Sequence, residues 1–382
     1  MNSTREGVYD RLVAHIQNGT TDQAESVLSV PIANFTSAEH LQKELEVFRN
    51  QPLVAAMSSE VPEAGSFVTR DVLGTPLLIT RQKSGEVAVF RNMCRHRGGK
   101  VELEEKGRKL FFVCGYHGWS YDSEGALRGV PYEDHLGPVD RGCNGLLRIS
   151  SEERHGIIWA DFSDRTDRGV VDFLGEADAK FADYAVDDTI VYMDKKIEVR
   201  INWKLVIDGA IDVLHPQFLH PHGVGKLIET NASLWDQFGR HGRSWSAYKK
   251  LSDKVRAGTH GPEDGRYCSG NFVVFPNVCM IPTPTHYEFW NVWPDMSDPG
   301  KCLVHIRFLI DPALLDDKRR GQIEKSWSIL EQAAMEEDFP MEETIQVNAT
   351  AFPVGDFLYG RSEAPCQHLH RQMAREMAEL TA

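Results

Sequence analysis

The sequence predicts an α+β protein of two domains, a small antiparallel β domain followed by an antiparallel sheet with helices packed against it. Three observations carry this expectation. From about residue 51 to 165, short strand-like runs alternate with Gly and Asp/Ser punctuation. Later segments alternate apolar and polar residues over longer runs, and the helical patterns at 316–338 and 363–380 follow them. A chain of 382 residues is long enough to build two cores.

Taken in order, residues 1–45 read as an N-terminal helical extension, and two helical patterns fall within 1–50. Thr36 and Ser37 cap a helix that presents Leu41, Leu45, Val47 and Phe48, and 22–27 is a weaker helical candidate. His15 and His40 read as surface residues. The second segment, 46–165, holds strand candidates at 66–70, 75–81, 86–91, 110–113, 146–150 and 156–162. Residues 163–185 read as linker and helix. In the third segment, 166–382, Ile197, Val199, Ile201 and Trp203 share one face of 196–203. Further strands are expected at 271–275, 286–293 and 301–310, the last with Cys302, Val304, Ile306, Phe308 and Ile310 on one face.

Composition narrows the function classes. Hydrophobic content of 41% and charged content of 26% are those of a globular protein. No run approaches the ~18 apolar residues of a membrane span, and no secretory pattern opens the chain, so a cytoplasmic protein is expected. A net charge of −14 argues against nucleic acid and anionic membrane surfaces as partners. Of seven Cys, five are scattered (Cys143, Cys268, Cys279, Cys302, Cys366), which predicts buried free thiols rather than a disulfide framework.

The chemistry concentrates in two stretches. Residues 94–119 hold Cys94-x-His96 and Cys114-x-x-His117, with 17 residues between the pairs. Gly98 and Gly99 follow the first pair, while Gly115 and Gly118 flank His117, which lets backbone close around a bulky inorganic group. Two thiolates and two imidazoles make either a zinc site or a 2Fe–2S centre with two His on one iron. Zinc sites usually pair Cys with Cys and His with His, whereas here each half supplies one of each, which suits the cluster. The wording Cys-Arg-His-Arg-Gly and Tyr-His-Gly-Trp resembles a Rieske iron–sulfur motif, with Gly115 where that family often has Pro.

The second stretch runs from Asn202 to His220. Asp208, Asp212 and His215 are spaced i, i+4, i+7 and would line one face of a helix, with a kink at Pro216 bringing His220 towards His215. Two His and a distant carboxylate make the facial triad of non-haem Fe(II) oxygenases. Spacing alone leaves His222 as a rival to His220, and Glu336, Glu337, Asp338, Glu342 and Glu343 as rival carboxylates.

Asn202-Trp203-Lys204 followed by Asp208, Asp212, His215 and His220 resembles the catalytic signature of Rieske non-haem iron, aromatic ring-hydroxylating oxygenase α subunits. The resemblance covers roughly residues 45–350. It implies a Rieske domain over 46–165, with Cys94, His96, Cys114 and His117 on one 2Fe–2S cluster. It also implies a helix-grip-like catalytic domain over 166–382, with His215, His220 and Asp338 on a mononuclear Fe(II). Asp212 matches the family's bridging acid, bonded to His215 and, across a subunit interface, to His117 of a neighbour in a homotrimer; a β subunit is left open.

The chain carries no dinucleotide fingerprint and no ferredoxin-type Cys run. The resemblance therefore implies O2 as co-substrate and NAD(P)H used indirectly, through a separate reductase with or without a ferredoxin. Arg95 and Arg97 are candidates to meet an acidic donor, or to hold loop carbonyls. The expected reaction is cis-dihydroxylation of a small aromatic substrate. Monohydroxylation or O- or N-demethylation uses the same ligands, and a cluster-only electron carrier is the distant alternative. Departures at Asp208, Gly209 and Leu214 fall in the pocket region. Ala210, Val213, Leu214, Leu219, Val224 and Leu227 are candidate pocket residues, and Trp235, Trp245, Trp290 and Trp293 a candidate aromatic wall or cation cage.

Overall fold

The computed structural model describes residues 2–163 and 169–380, so the expected boundary at 165/166 lies outside the described residues. Two compact units emerge, one of Phe48–Phe173 with Ala185–Val191, the other of Met1–Val47, Leu174–Tyr184 and Tyr192–Ala382. Residues 1–47, which take in the stretch expected as an N-terminal extension, fall in the second unit.

The first unit contains strands β1 (Pro52–Met57), β2 (Ser66–Val72), β3 (Thr75–Arg81), β4 (Val87–Arg91), β5 (Lys106–Arg108), β6 (Phe111–Val113), β7 (Ser120–Asp122), β8 (Leu127–Gly129), β9 (Arg148–Arg154) and β10 (Ile157–Asp161). Seven form one antiparallel sheet in the order β1-β10-β9-β4-β3-β2-β5, and β6-β7-β8 form a second. Phe67, Leu78, Ala88, Phe90, Phe112, Tyr121 and Leu127 fill a core that also takes in Cys94 and Cys114. The loops β4–β5 and β6–β7 carry the Cys/His pairs.

The second unit is built on the sheet β11 (Ile190–Val199), β12 (Ile228–Phe238), β13 (His241–Tyr248), β14 (Cys268–Val274), β15 (Val278–Pro282), β16 (Tyr287–Pro294) and β17 (Cys302–Ile310), in the order β11-β17-β16-β15-β14-β13-β12. Helix α1 (Asn2–Asn18) lays Val8, Tyr9, Leu12, Val13 and Ile16 against Ala232, Leu234, Trp245 and Cys268 of this sheet, which is why the N-terminal residues belong here. Those positions recur at helical spacing, so the signal was present in the sequence. Residues 22–27 are not a helix; Asp22 N–H donates to Ser233 O (3.0 Å) and Ala24 N–H to Arg361 O (2.7 Å). Helix α2 (Ala38–Arg49) forms where Thr36 and Ser37 predicted its start.

The strand expected over 196–203 ends at Val199. Asn202 instead caps helix α3 (Trp203–Ile211), its side chain accepting from Lys204 N–H at 3.0 Å. Trp203 Nε1 and Lys204 Nζ both bond the buried Glu44 carboxylate of α2, at 2.9 and 2.5 Å. The Asn-Trp-Lys triplet is therefore an anchor that fixes where α3 starts. After α3 come a short turn of helix, α4 (Pro216–Leu219), then α5 (Asp317–Leu330), a π-helical stretch (Glu331–Asp338), α6 (Phe339–Ala351) and α7 (Ala364–Leu380). Among the described residues no helix is long and apolar enough to cross a membrane. Cys143 is exposed, contrary to expectation, because it lies in an Asp140-centred surface turn; the other six Cys are buried, and none forms a disulfide.

Candidate metal centres

The two cluster loops share one design. Cys94 N–H donates to Gly99 O (2.8 Å) and Gly98 N–H to Cys94 O (2.9 Å); Cys114 N–H donates to Trp119 O (2.8 Å) and Gly118 N–H to Cys114 O (2.9 Å). Each loop turns through a glycine with positive φ, Gly98 at +79° and Gly118 at +72°, which side chains rarely adopt. A Cβ on Gly99 would lie 3.4 Å from Cys114 Sγ, so the first loop passes bare backbone close to the second thiol.

Both thiols are buried in the unit's core, while His96 is half-buried and His117 exposed. The imidazoles meet edge to face with centroids 4.6 Å apart, and His96 stacks on Trp119 at 5.0 Å. Tyr121 Oη lies 3.3 Å from Cys94 Sγ and accepts from Arg95 N–H at 3.0 Å. Burial, with Cys94 next, pushes the Tyr121 phenol up, so it stays protonated beside the sulfur. Two unoxidised thiols inside and two imidazoles at the rim are the donor set of a cluster with both Cys on one iron and both His on the other. The Arg97 guanidinium lies 5.0 Å over the Tyr116 ring.

The second centre departs from the expected helix face. Helix α3 stops at Ile211, before Pro216, because Asp212 turns extended and its carboxylate captures the N–H groups of Leu214 (2.8 Å) and His215 (3.3 Å). Asp212 Oδ2 also bonds His215 Nδ1 at 3.0 Å, leaving Nε2 to face inward. Pro216 occupies the first position of α4, where its missing N–H costs nothing. That single turn places His220 beside His215, ring centroids 5.3 Å apart.

Asp338 arrives from far along the chain, at the end of the π-helical stretch. Pro340 follows at the start of α6 and cannot supply its N–H to the preceding turn, and the wider π turn accommodates it. Asp338 Oδ1 lies 2.9 Å from His220 Nε2 and 3.5 Å from His215 Nε2. Among the described residues these three alone form a group whose ligand atoms all lie within 4.8 Å of one another.

His220 Nδ1 is held by Glu337, an outer partner that sequence reasoning offered only as a rival ligand. His222 is exposed and outside the group. Burial raises Asp338 in spite of the two imidazoles, a charge deficit that a dication would relieve. Burial also penalises the charge on Asp212, but bonds from His215 and the Leu214 N–H outweigh it and hold that carboxyl below its usual range.

A cavity of about 390 Å³ opens beside the trio, lined by Asp212, His215 and Asp338 together with Leu219, Tyr359 and Cys366. Of the six predicted pocket residues only Leu219 lines it, and none of the four predicted Trp does. Asp208 does line it, its Oδ2 accepting from Tyr359 Oη at 2.7 Å and bonded to His370 Nε2 at 2.9 Å. Neither partner lies near Asp208 in sequence.

Residues 184–379 match the family of the ring-hydroxylating alpha subunit (catalytic domain), and residues 51–140 the Rieske [2Fe-2S] domain. The chain belongs to the ring-hydroxylating alpha subunit family. The cofactors that go with these two domains are one Rieske 2Fe–2S cluster and one mononuclear iron.

The chain is 30% identical over 184 residues to the glycine betaine monooxygenase oxygenase subunit of Chromohalobacter salexigens, covering 48% of this chain and 41% of that protein. It is 33% identical over 269 residues to the biphenyl 2,3-dioxygenase subunit alpha of Rhodococcus jostii, covering 68% and 55%. The matches thus span about half the length of these relatives. In fold the chain is similar to the quaternary ammonium Rieske monooxygenase CntA (TM-score 0.78, 19% identity, 95% and 97% covered). It is also similar to naphthalene 1,2-dioxygenase from Rhodococcus sp. (TM-score 0.74, 20% identity, 99% of each).

Proposed function

We propose that this chain is the terminal oxygenase component of a multicomponent Rieske non-haem iron system that hydroxylates an aromatic substrate, with cis-dihydroxylation as the main reading. The observation that carries the proposal is the convergence of His215 Nε2, His220 Nε2 and Asp338 Oδ1 beside a cavity. Two imidazoles and one carboxylate are the ligand set that leaves coordination positions open for O2. When bound, the cluster supplies electrons one at a time and the mononuclear iron supplies O2 activation.

The protein's part is positioning. Asp212 fixes the tautomer and orientation of His215, and Glu337 does the same for His220. Cys94, His96, Cys114 and His117 hold the cluster, with the exposed His117 as the natural exit for an electron. We assign Asp212 as the partner of His117 of a neighbouring copy in a homotrimer, a head-to-tail interface that closes as a ring. Electrons come from a separate NAD(P)H-dependent reductase, with a ferredoxin between them in some systems of this kind. The four buried Cys outside the cluster loops, Cys268, Cys279, Cys302 and Cys366, form no disulfide, which favours a reducing cytoplasmic setting.

Monooxygenation or demethylation is the second reading. It is favoured by the similarity to glycine betaine monooxygenase subunits, and the carboxyl groups of Asp208, Glu342 and Glu363 in the cavity lining are candidate partners for a cation. The cluster-only electron carrier is disfavoured by the intact trio.

The test supplies NADH, a surrogate reductase and 18O2 to the iron-loaded protein with a panel of aromatic and methylammonium compounds. Two labelled oxygens in one aromatic product support the main reading. One labelled oxygen, or formaldehyde release, supports the second. NADH-dependent reduction of the protein with no labelled product from any compound contradicts both.

A further inference from the structure

On the face of the second unit's sheet turned away from α3 lies a cavity of about 300 Å³. Its orientation follows from the strand register. Asn271 Nδ2 bonds Ala210 O of α3 at 2.9 Å, so odd positions of β14 face that helix. Arg243 pairs with Phe272 and Trp245 with Gly270, which puts both on the opposite face. The cavity is walled by Tyr184, Trp245, Tyr248, Pro282, Pro284 and Tyr287, and Arg243 reaches it from β13.

Arg243 is the unusual feature. It is only 4% exposed, yet its Nε and Nη1 have no hydrogen-bond partner. Buried guanidinium donors left unmatched are costly. The nearest carboxylate, Asp236, lies 3.6 Å from Nη2 and is engaged more closely by Arg11 (2.7 Å) and the Trp245 indole N–H (3.1 Å). The guanidinium carbon lies 4.6 Å from the centre of the Trp245 ring and 5.5 Å from that of Phe238. Trp245 in turn lies against Gly270, where a Cβ would come within 2.5 Å of the indole. Arg266 adds a second positive charge and Asp183 a negative one to the lining, both on exposed side chains.

We propose that this cavity is a binding site for a small aromatic carboxylate, separate from the metal centres. The carboxylate pairs with the Arg243 guanidinium at the cavity wall, and the ring lies among the aromatic and proline walls. A preorganised, buried guanidinium favours such an anion because no rotamer freedom is lost on binding and the hydrogen bonds are charge-assisted. The size suits one ring, since it lies at the small end of ligand cavities. The proposal does not rest on the oxygenase reading.

The probe is benzoate, with neutral benzyl alcohol and cationic benzylamine as shape-matched controls, measured by calorimetry and ligand-observed NMR on the full chain. Benzoate is expected to bind roughly tenfold or more tightly than benzyl alcohol, with benzylamine weakest. Arg243→Gln should remove that preference. Arg266→Glu, an exposed substitution that spares the fold, should weaken benzoate several-fold. Asp338→Ala should leave benzoate binding unchanged, which separates this site from the cavity beside the iron. Equal binding of benzoate and benzyl alcohol, indifference to Arg266→Glu, loss with Asp338→Ala, or no binding at all, with water alone serving Arg243, would overturn the proposal.

Discussion

The two proposed metal-binding regions solve the same problem in opposite ways. The cluster loops in the first unit lie close in sequence and repeat one backbone pattern, Cys N–H to the carbonyl five residues on and a positive-φ glycine four residues on. Their rigidity comes from main-chain hydrogen bonds and from burial of both thiols in a β core. The proposed iron trio in the second unit joins a broken helix to a π-helical stretch more than 100 residues away. Its geometry depends on side chains, namely the turn made by Asp212, the bond from Glu337 and the two prolines, Pro216 and Pro340, that sit at helix starts beside the ligands. A backbone-built site tolerates changes in its surroundings, whereas a side-chain-built site is exposed to single substitutions.

Breaking that contrast starts with Asp338→Ala, which should empty the second centre and abolish turnover while the cluster spectrum stays intact. Metal analysis checks it, with iron falling from about three to about two per chain. Asp212→Asn comes next. It keeps the shape but weakens the hold on His215, so iron affinity or turnover should fall roughly 10- to 100-fold with the cluster absorption unchanged. An effect of that size on the cluster itself would erase the distinction between the two regions.

Smaller effects sharpen the comparison. The second unit also buries a carboxyl in its sheet. Burial raises Glu288 to about 7, with one bond from the Trp290 indole N–H at 3.4 Å opposing the shift. Because its proton is held more tightly in the folded state, the group lowers stability as pH rises from about 4.5 to about 7, and the loss is complete above that. Glu288→Gln should therefore stabilise the protein at pH 8 by roughly 1–3 kcal/mol and leave it little changed at pH 4, as read from denaturant melts. In the first unit, Tyr121→Phe removes the hydroxyl beside Cys94 Sγ and should lower the cluster potential by roughly tens of millivolts, checked by redox titration with the fold unaltered.

The same contrast explains what could be read from the chain. Local features were legible: the strand 75–81 stands where the turn punctuation put it, and the Cys/His spacing alone pointed to a cluster. Ligands of the second centre could be chosen among rivals only through the family resemblance, because no local pattern links His220 to Asp338. The helix face expected for Asp208, Asp212 and His215 failed because the Asp212 side chain competes with the helix for backbone N–H groups. Pocket residues were misplaced for a related reason. The cavity beside the trio draws on Phe357, Leu358 and Tyr359, whose approach to α3 depends on tertiary packing rather than on any periodicity near the iron motif.

The most direct test of two distinct metal centres is iron, sulfide and zinc analysis of the anaerobically purified protein, with its visible spectrum before and after dithionite. A red-brown protein that bleaches on reduction and carries about three irons and two acid-labile sulfides per chain is expected. A colourless protein containing zinc, or about two irons per chain that Fe(II) reconstitution does not increase, would contradict it.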